Sequence, residues 1–340
     1  MNLPTAKTLS RAVEAAATRD GVTARRMRRW IGAIALIETL NVARVQGILP
    51  RFIVKGGFAL EFRFRSESRA SRDIDIVLPL ERGDLMDAAI EALRLEWSGF
   101  SFRIKGTPVE AERSFRIEVS ALYQNKEWST FDVELVFGPV GADEPIEPLD
   151  LAAFGLLRPG DIPCMTVAEQ IAQKLHAVTD PDENRPRDLI DIYLLDTRLP
   201  RLDATLLDHC LTTFERRAKQ PWPPNIVVQD GWNAQLEALI AQFQLSITVD
   251  HVVRGVRALV NRLLGLDMPK NFRYHFLVLS GSPSVPSIMQ DAIEHDEGYN
   301  VLRRMTEEEG WRLAHILRYP SRDVTRAILA VLEQPVDVKE

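Results

Sequence analysis

The segment 73–78, Asp-Ile-Asp-Ile-Val-Leu, constrains the fold more than any other part of this sequence, because it begins with alternating acidic and apolar residues. Successive side chains of a β-strand point to opposite faces of a sheet. The pattern predicts a strand with one buried apolar face and with the carboxylates of Asp73 and Asp75 side by side on the other. Such close carboxylates raise each other's pKa unless a cation lies between them, and a hard divalent ion such as Mg²⁺ suits them. A solvent-exposed strand face is the alternative.

A pair of glycines lies upstream, between a predicted buried strand at 52–54 and a predicted helix that begins near Phe58. Free backbone N–H groups at a helix N-terminus favour a phosphate, and glycine lets the phosphate approach closely. Lys55-Gly56-Gly57 is therefore a candidate phosphate loop. The alternative is a tight strand-to-helix turn that needs glycine only for its positive φ.

A third carboxylate is the usual companion of such an acidic pair, because two-metal phosphoryl transfer needs a group that bridges the ions. The segment Thr130–Phe137 predicts a strand with Asp132 and Glu134 on one face. Either residue could reach the pair, and Glu118 on the preceding predicted strand is a weaker candidate. An exposed strand face is again the alternative.

A second charged group lies in a more helical part of the chain. A capping box at 166–169, Thr-Val-Ala-Glu, predicts a helix over 167–178, and Lys174 lies inside its otherwise apolar sequence. A lysine in this position must extend to solvent or find a partner. Asp188 and Asp191 follow on one face of the next predicted helix. A nucleotide phosphate or one of these aspartates would serve as the partner.

The remaining patterns indicate a small mixed sheet with helices up to about residue 150 and a mainly helical chain beyond it. The predicted elements are a long helix from Thr23, a helix over 84–96, strands over Ser114–Leu122 and Thr130–Phe137 with a hairpin at 124–127, a helix from Pro186 to about Thr197, and two helices capped by Asp230 and Asp250 that end near Phe243 and Gly265. From 270 onward the expected features are a strand over 271–279, a capping box at 306–309 and two short helices separated by a turn at 319–321.

Charge is unevenly distributed along the 340 residues. The net charge of −6 argues against a protein that coats nucleic acid indiscriminately. Residues 1–50 nevertheless carry a net charge of +5, whereas residues 141–200 carry −7. Four arginines, Arg25, Arg26, Arg28 and Arg29, form a basic arm at the start of the helix from Thr23, where the helix dipole disfavours cations. Solvated surface charge is the commoner explanation of such an arm, and contact with a polyanion such as RNA is the specific alternative.

Several classes of protein are excluded by what the sequence lacks. The six histidines have no metal-ligand spacing, and there is no Gly-x-Ser-x-Gly elbow, Walker A loop or Gly-x-Gly-x-x-Gly fingerprint. Cys164 and Cys210 are far apart and form no Cys-x-x-Cys motif, which is typical of a reducing compartment. Because the sequence shows neither a signal-peptide pattern nor a membrane-spanning apolar run, we expect a cytoplasmic protein without membrane contact.

Three blocks of sequence together resemble the AbiEii/AbiGii nucleotidyltransferase toxins of the polymerase-β-like nucleotidyltransferase superfamily. These are the toxin halves of bacterial toxin–antitoxin and abortive-infection systems. The blocks are Lys-Gly-Gly-x-Ala-Leu at 55–60, Arg-x-Ser-x-Asp-Ile-Asp at 69–75, and Lys-Leu-x-Ala at 174–177 with Arg-Asp-x-x-Asp at 187–191. The resemblance covers about residues 23–265.

The resemblance implies an α/β (α+β) fold, with a polymerase-β-like nucleotidyltransferase core, a small mixed sheet and a mainly helical C-terminal half. It also implies roles for individual residues: nucleotide binding by Lys55, Gly56, Gly57, Arg69, Ser71 and Lys174; metal ligation by Asp73, Asp75 and Glu134; and nucleotide-side catalytic roles for Lys174, Asp188 and Asp191. The family's third acid usually lies three residues before a Phe-Gly pair, which selects Glu134, with Asp132 as the competitor. Gly57 stands where many superfamily members have serine.

The function implied by this resemblance is a metal-dependent transfer of a nucleoside monophosphate from a nucleoside triphosphate (NTP) to a hydroxyl acceptor, with Mg²⁺ or Mn²⁺ as cofactor. The expected acceptor is RNA, such as a tRNA end, and a cognate antitoxin is the expected partner. Two alternatives are a phosphotransferase acting on a protein or nucleotide and a non-catalytic nucleotide-binding module. The expected segments are an N-terminal helical region over 1–50, a nucleotidyltransferase core over 51–160, a helical domain over 161–268 that completes the active-site cleft, and a C-terminal appendage over 269–340.

Overall fold

The computed structural model describes residues 3–68, 70–71, 73–200, 203–242 and 245–267. Arg69 and the segment 269–340, with their predicted roles, lie outside these residues. The chain divides into two compact units, the first ending at Gln170 and the second beginning at Ile171. The first unit includes the N-terminal helices, and the four-segment division stays a prediction. Among the described helices, none is long and apolar enough to cross a membrane.

Among its described residues, the first unit combines one mixed sheet with four α-helices. Its elements are α1 (Ala6–Arg19), α2 (Ala24–Val45), β1 (Ile53–Lys55), α3 (Gly56–Phe64), β2 (Asp73–Leu78), α4 (Arg82–Ala92), β3 (Phe100–Glu110), β4 (Ser114–Tyr123), β5 (Lys126–Phe137), β6 (Asp143–Ile146) and β7 (Ile162–Met165). The strand order is β3-β4-β5-β2-β1-β7-β6. β2 runs parallel to β5 and antiparallel to β1, so the predicted mixed sheet is confirmed.

The apolar faces of the central strands pack against α2. Ile74 and Ile76 on β2, with Val133 on β5, join one core with Ile31 and Ile34 of α2. α2 begins where the sequence predicts, and the Thr23 side chain caps it by accepting a hydrogen bond from the backbone N–H of Arg26. The alternation in β2 therefore has the predicted consequence that one face is buried.

The helical elements of the second part are α5 (Val167–Thr179), which crosses the boundary between the units, α6 (Pro186–Arg198), α7 (Asp203–Arg217), α8 (Trp232–Gln242) and α9 (Val249–Asp267). α9 packs closely on α6, because a Cβ at Gly255 would lie 2.6 Å from the Tyr193 ring. Arg262 of α9 pairs with Asp196 (2.5 Å) and Asp203 (2.8 Å).

The structure corrects the predicted caps of α8 and α9. The backbone N–H of Gln235 donates to the carbonyl oxygen of Gly231, which makes Gly231 the N-cap of α8. Asp230 therefore lies one residue before the cap position. Asp250 lies inside the first turn of α9, where Thr248 Oγ1 accepts from the backbone N–H of His251. Aspartate and threonine are both good caps, so residue type alone did not identify the correct position.

Five of the described strands and α-helices were not predicted individually from the sequence, although α1 lies within the predicted N-terminal helical region. Only Phe100 and Phe102 of β3 are buried and its second half is mostly exposed, and β6 and β7 have only four residues each. Short or half-exposed strands carry little periodicity of their own. The two remaining elements are amphipathic helices, α1 and α7.

The contact between α2 and β5 predicts opposite effects for two helix glycines. A Cβ at Gly32 would lie 2.4 Å from Ser129 Oγ and 3.0 Å from the buried Phe131 ring, whereas a Cβ at Gly83 in α4 would meet nothing within 4 Å. Gly32→Ala should lower the free energy of unfolding by about 1–3 kcal/mol through overpacking. Gly83→Ala should raise it by about 0.5–1 kcal/mol through helix propensity. Urea unfolding of both variants measures this, and a stabilised Gly32→Ala would contradict the close packing.

Candidate active site

The predicted acidic residues of the first unit share one face of the sheet. The register of β2 and β5 places Asp75 beside Glu134 and Asp73 beside Asp132. On the other side of Asp75, β1 contributes Lys55. Neighbouring strands lie about 4.8 Å apart. The structure therefore brings Asp73, Asp75 and both candidates for the third carboxylate into two adjacent cross-strand rows.

The two candidates for the third acid have different surroundings. Glu134 is half-buried, and its Oε1 accepts a hydrogen bond of 2.7 Å from Ser114 Oγ, while Arg116 lies 3.9 Å from its other oxygen. Asp132 is exposed and lies beside Glu118 of β4. Glu134 is thus the more fixed of the two and is the cross-strand neighbour of Asp75.

The glycine pair lies between β1 and α3, as the sequence predicts. Gly56 has φ of +67°, a left-handed conformation that disfavours any other residue. A Cβ at this position would also lie 1.8 Å from Asp75 Oδ2. The turn and the close approach of a carboxylate therefore both require Gly56. The phosphate role of the loop remains a prediction.

The second charged group is a buried ion-paired cluster in the second unit. Lys174 Nζ donates to Asp188 Oδ1 (2.5 Å) and to Asp191 Oδ2 (2.7 Å), and all three residues are buried. The sequence allowed a nucleotide phosphate or one of the aspartates as the partner of Lys174. The structure shows that both aspartates are partners. Burial of these charges is tolerated because they are paired and hydrogen-bonded.

A family model described as "Nucleotidyl transferase AbiEii toxin, Type IV TA system" matches residues 43–261 of the chain. The chain belongs to the AbiEii family. This AbiEii-family chain is therefore a nucleotidyltransferase toxin of a type IV toxin–antitoxin system, with the mixed α/β fold that the resemblance implied. No curated protein matches it significantly.

Solved structures with similarity to the AbiEii-family chain are distant. MenT4, a nucleotidyltransferase toxin from Mycobacterium tuberculosis, is 17% identical with a TM-score of 0.47, over 77% of this chain and 99% of that one. JHP933 from Helicobacter pylori is 16% identical with a TM-score of 0.37, over 69% and 89%. The antibiotic-resistance factor ANT(2'')-Ia is 21% identical with a TM-score of 0.33, over 55% and 93%.

The donor set on the sheet face suits a hard divalent ion, because every candidate ligand is a carboxylate oxygen. Within the described ranges, no group of three or more His, Cys, Asp or Glu residues is arranged to hold an ion. Mg²⁺ commonly uses only one or two protein carboxylates and completes its shell with water and substrate phosphates. Asp73 and Asp75 fit that mode, with Glu134 as the neighbouring third acid.

Three of the four arginines in the basic arm of the AbiEii-family chain contact other residues of the first unit, so they are not simply solvated, and contact of the arm with a polyanion stays a hypothesis. Arg26 pairs with Glu61 (2.8 Å), and Arg29 donates to the carbonyl oxygen of Ser71 (2.5 Å). Arg28 pairs with Glu14 (3.3 Å) and lies over the Trp128 ring. The fourth arginine, Arg25, is exposed. Arginines at a helix start therefore do not by themselves indicate a polyanion site.

Glu61 is a buried acid that the sequence analysis missed. Its Oε1 accepts from Arg26 and from Trp30 Nε1 (2.8 Å each), and its Oε2 accepts from the backbone N–H of Ser71 (2.8 Å). Ser71 Oγ in turn donates to the carbonyl of Asp73 (3.2 Å), so the predicted nucleotide-binding hydroxyl is engaged with the backbone. The available signal was an acid within the apolar run of α3, which must have a partner when buried.

The close approach of Gly56 and Asp75 predicts a matched pair of glycine substitutions. Gly47 also has a positive φ of +77°, but a Cβ there would meet nothing within 4 Å. Gly47→Ala should therefore lower the free energy of unfolding by about 1–2 kcal/mol through backbone strain alone. Gly56→Ala should cost more and displace the Asp75 carboxylate. Equal losses in urea unfolding would show that the carboxylate contact is unimportant.

His176 on α5 predicts an acid-sensitive second unit. Burial, with a smaller effect from the charge of Arg217, lowers the pKa of His176 to about 4 from its usual value near 6.5. Between these values the unfolded chain binds a proton that the folded chain does not, so stability should fall as pH decreases from about 6.5 to 4. His176→Leu should reduce this slope in unfolding measured across that range. His251→Leu, at an exposed position of α9, should retain it.

Proposed function

We propose that the chain transfers a nucleoside monophosphate from an NTP to a hydroxyl group of RNA, with the sheet face around Asp75 as the catalytic centre. The observation that carries this proposal is the register that places Asp75 between Lys55 and Glu134 and against Gly56. The acidic pair on β2, the candidate third acid on β5 and the N-terminus of α3 all lie near this point, on neighbouring elements of the first unit. Family membership supplies the class of reaction.

In this proposal the first turn of α3 binds the triphosphate. The first four N–H groups of a helix lack intrahelical partners. Within the described part of the chain, the N-cap residue Lys55 makes no side-chain capping hydrogen bond to α3. Gly56 and Gly57 leave room for phosphate oxygens to reach these donors. Lys55, at the same end of α3, adds positive charge next to the phosphates.

The carboxylates of Asp73 and Asp75 would hold Mg²⁺ or Mn²⁺, and a bound divalent ion would neutralise charge that develops on the reacting phosphate. Glu134, fixed by Ser114, would orient the acceptor hydroxyl. The acceptor hydroxyl gives its proton to the Glu134 carboxylate as its oxygen forms a bond to the α-phosphorus. The bond from that phosphorus to the oxygen that bridges it to the β-phosphorus breaks, and pyrophosphate leaves. Glu134 would keep the acceptor oxygen aligned with the α-phosphorus for this attack.

The second-unit cluster would act on the nucleotide side of the reaction, as the family resemblance implies for Lys174, Asp188 and Asp191. The two aspartates hold the lysine ammonium in one position. A preorganised ammonium can contact a phosphate oxygen without a further loss of side-chain freedom. This role rests on the resemblance and on the fixed position of the ammonium.

The acceptor and the cellular context follow from the toxin class. A type IV toxin implies a cognate antitoxin and a target whose modification arrests growth, for which we propose RNA such as a tRNA end, in the cytoplasm. Parallel incubations of the chain with total cellular RNA and each NTP, labelled either at the α-phosphate or at the γ-phosphate, test this. Label from the α-phosphate in RNA supports nucleotide transfer. Label from the γ-phosphate alone would instead support a phosphotransferase, and binding without any product would support a non-catalytic module.

The different surroundings of Glu134 and Asp132 predict a difference in activity. Residues that only support metal ligands typically cost up to about 100-fold in activity when they are replaced. Because we place Glu134 in the catalytic centre itself, Glu134→Gln should lower the rate of label transfer by at least about 100-fold. Asp132→Asn makes the same change of charge on the same strand and should cost far less. The reverse order would assign the third-acid role to Asp132. Circular dichroism of both variants confirms that the loss reflects charge and not unfolding.

A further inference from the structure

A buried glutamine outside the three sequence blocks that carry the family resemblance contacts the glycine loop. Gln170, in the first turn of α5, is 1% exposed, and its Nε2 donates a hydrogen bond of 2.7 Å to the carbonyl oxygen of Gly56. Gln170 is thus a side-chain donor to the peptide that joins Gly56 to Gly57.

Arg63 determines which end of the Gln170 amide faces the loop. Its guanidinium donates to Gln170 Oε1 (2.9 Å), to the carbonyl of Met165 (2.6 Å) and to Glu144 Oε2 (3.0 Å). A guanidinium has donors and no acceptor, so it can be satisfied only by the oxygen end of the amide. The NH₂ end must therefore face Gly56.

The planarity of the peptide bond transmits this contact to Gly57. In a trans peptide the C=O of one residue and the N–H of the next point in opposite directions. A fixed Gly56 carbonyl therefore fixes the direction of the Gly57 N–H, one of the N–H groups at the start of α3 that have no partner within the helix. Two successive glycines have wide backbone freedom, so this peptide has the most to gain from an anchor.

We propose that Gln170 is a positioning residue that aims the Gly57 N–H at the triphosphate. The inference rests on the proposed function, because it takes the loop to be the phosphate site. It adds a residue from α5 to that site, supported in turn by Arg63. Gln170 acts through the loop backbone, without touching the substrate.

The test compares binding of two probes by calorimetric titration in the presence of Mg²⁺: inorganic tripolyphosphate, and the non-hydrolysable NTP that the wild-type chain binds best. Gln170→Met preserves length and burial but removes the donor. It should weaken binding of both probes on the order of 10-fold, as expected for loss of a supporting contact. Binding of the corresponding nucleoside, which has no phosphates, should be unchanged.

Gln170→Glu provides a second variant with the same shape. Its carboxylate can still accept from Arg63, but it presents an acceptor to the Gly56 carbonyl, so it should bind both probes as weakly as Gln170→Met. Wild-type affinity in Gln170→Glu would overturn the proposal, since donation by the amide would then be unnecessary. This comparison also separates positioning from any packing defect of the methionine variant.

Gln220 is the matched control in the second unit. Its Nε2 also donates to a backbone carbonyl, that of His176 (2.6 Å), and to Thr179 Oγ1 (3.0 Å). Gln220→Met should therefore lower thermal stability and leave the affinity for tripolyphosphate unchanged. If it weakened tripolyphosphate binding as much as Gln170→Met, general destabilisation would explain both and the proposal would fail.

Lys55→Met distinguishes failure of this inference from failure of the phosphate loop itself. If Lys55→Met weakens tripolyphosphate binding and Gln170→Met does not, the positioning role is wrong while the loop assignment stands. If neither variant changes binding, or the wild-type chain binds neither probe, the phosphate-loop assignment fails together with the inference.

Discussion

The contact between Gly56 and the Asp75 carboxylate is the constraint around which the first unit is arranged. A side chain at position 56 would occupy the space of Asp75 Oδ2, and the positive φ of Gly56 turns the chain from β1 directly into α3. The same turn brings the first N–H groups of α3, which lack partners within the helix, to the acidic strand. The N-terminus of α3 favours anions and the carboxylates favour cations. Because both border the same location, a phosphate and a cation can be bound there together.

The elements that carry this location are held by buried polar networks on two sides. Glu61 accepts hydrogen bonds from Arg26, Trp30 and the backbone N–H of Ser71, and so fixes the segment that leads into β2. Arg63 and Gln170 hold the peptide after Gly56. Both Glu61 and Arg63 lie on α3. Such networks stabilise one geometry because a buried group left without its partner is costly.

The ion pairs of the chain differ in what they contribute. Lys174 with Asp188 and Asp191 is buried, so its charges interact strongly but also lose hydration, and the net effect is a fixed geometry more than added stability. Exposed pairs such as Arg254 with Asp250 contribute little. Arg26 of the basic arm likewise serves to fix geometry. Its ion pair with Glu61 and its hydrogen bonds to the carbonyl oxygens of Arg65 and Ser68 connect α2 to the segment before β2.

The sequence by itself determined the alternating strand, the glycine turn, the capped α2 and α5, and the acids that could serve the site. These features have a period of 2 or 3.6 residues or a local cap, and local geometry is enough to specify them. Only the tertiary structure decided that Asp75 lies beside Glu134, that Arg26 and Arg29 turn inward, and that Gln170 reaches Gly56. Strand register and side-chain partners between distant segments depend on packing of the whole unit, for which one sequence carries no local signal.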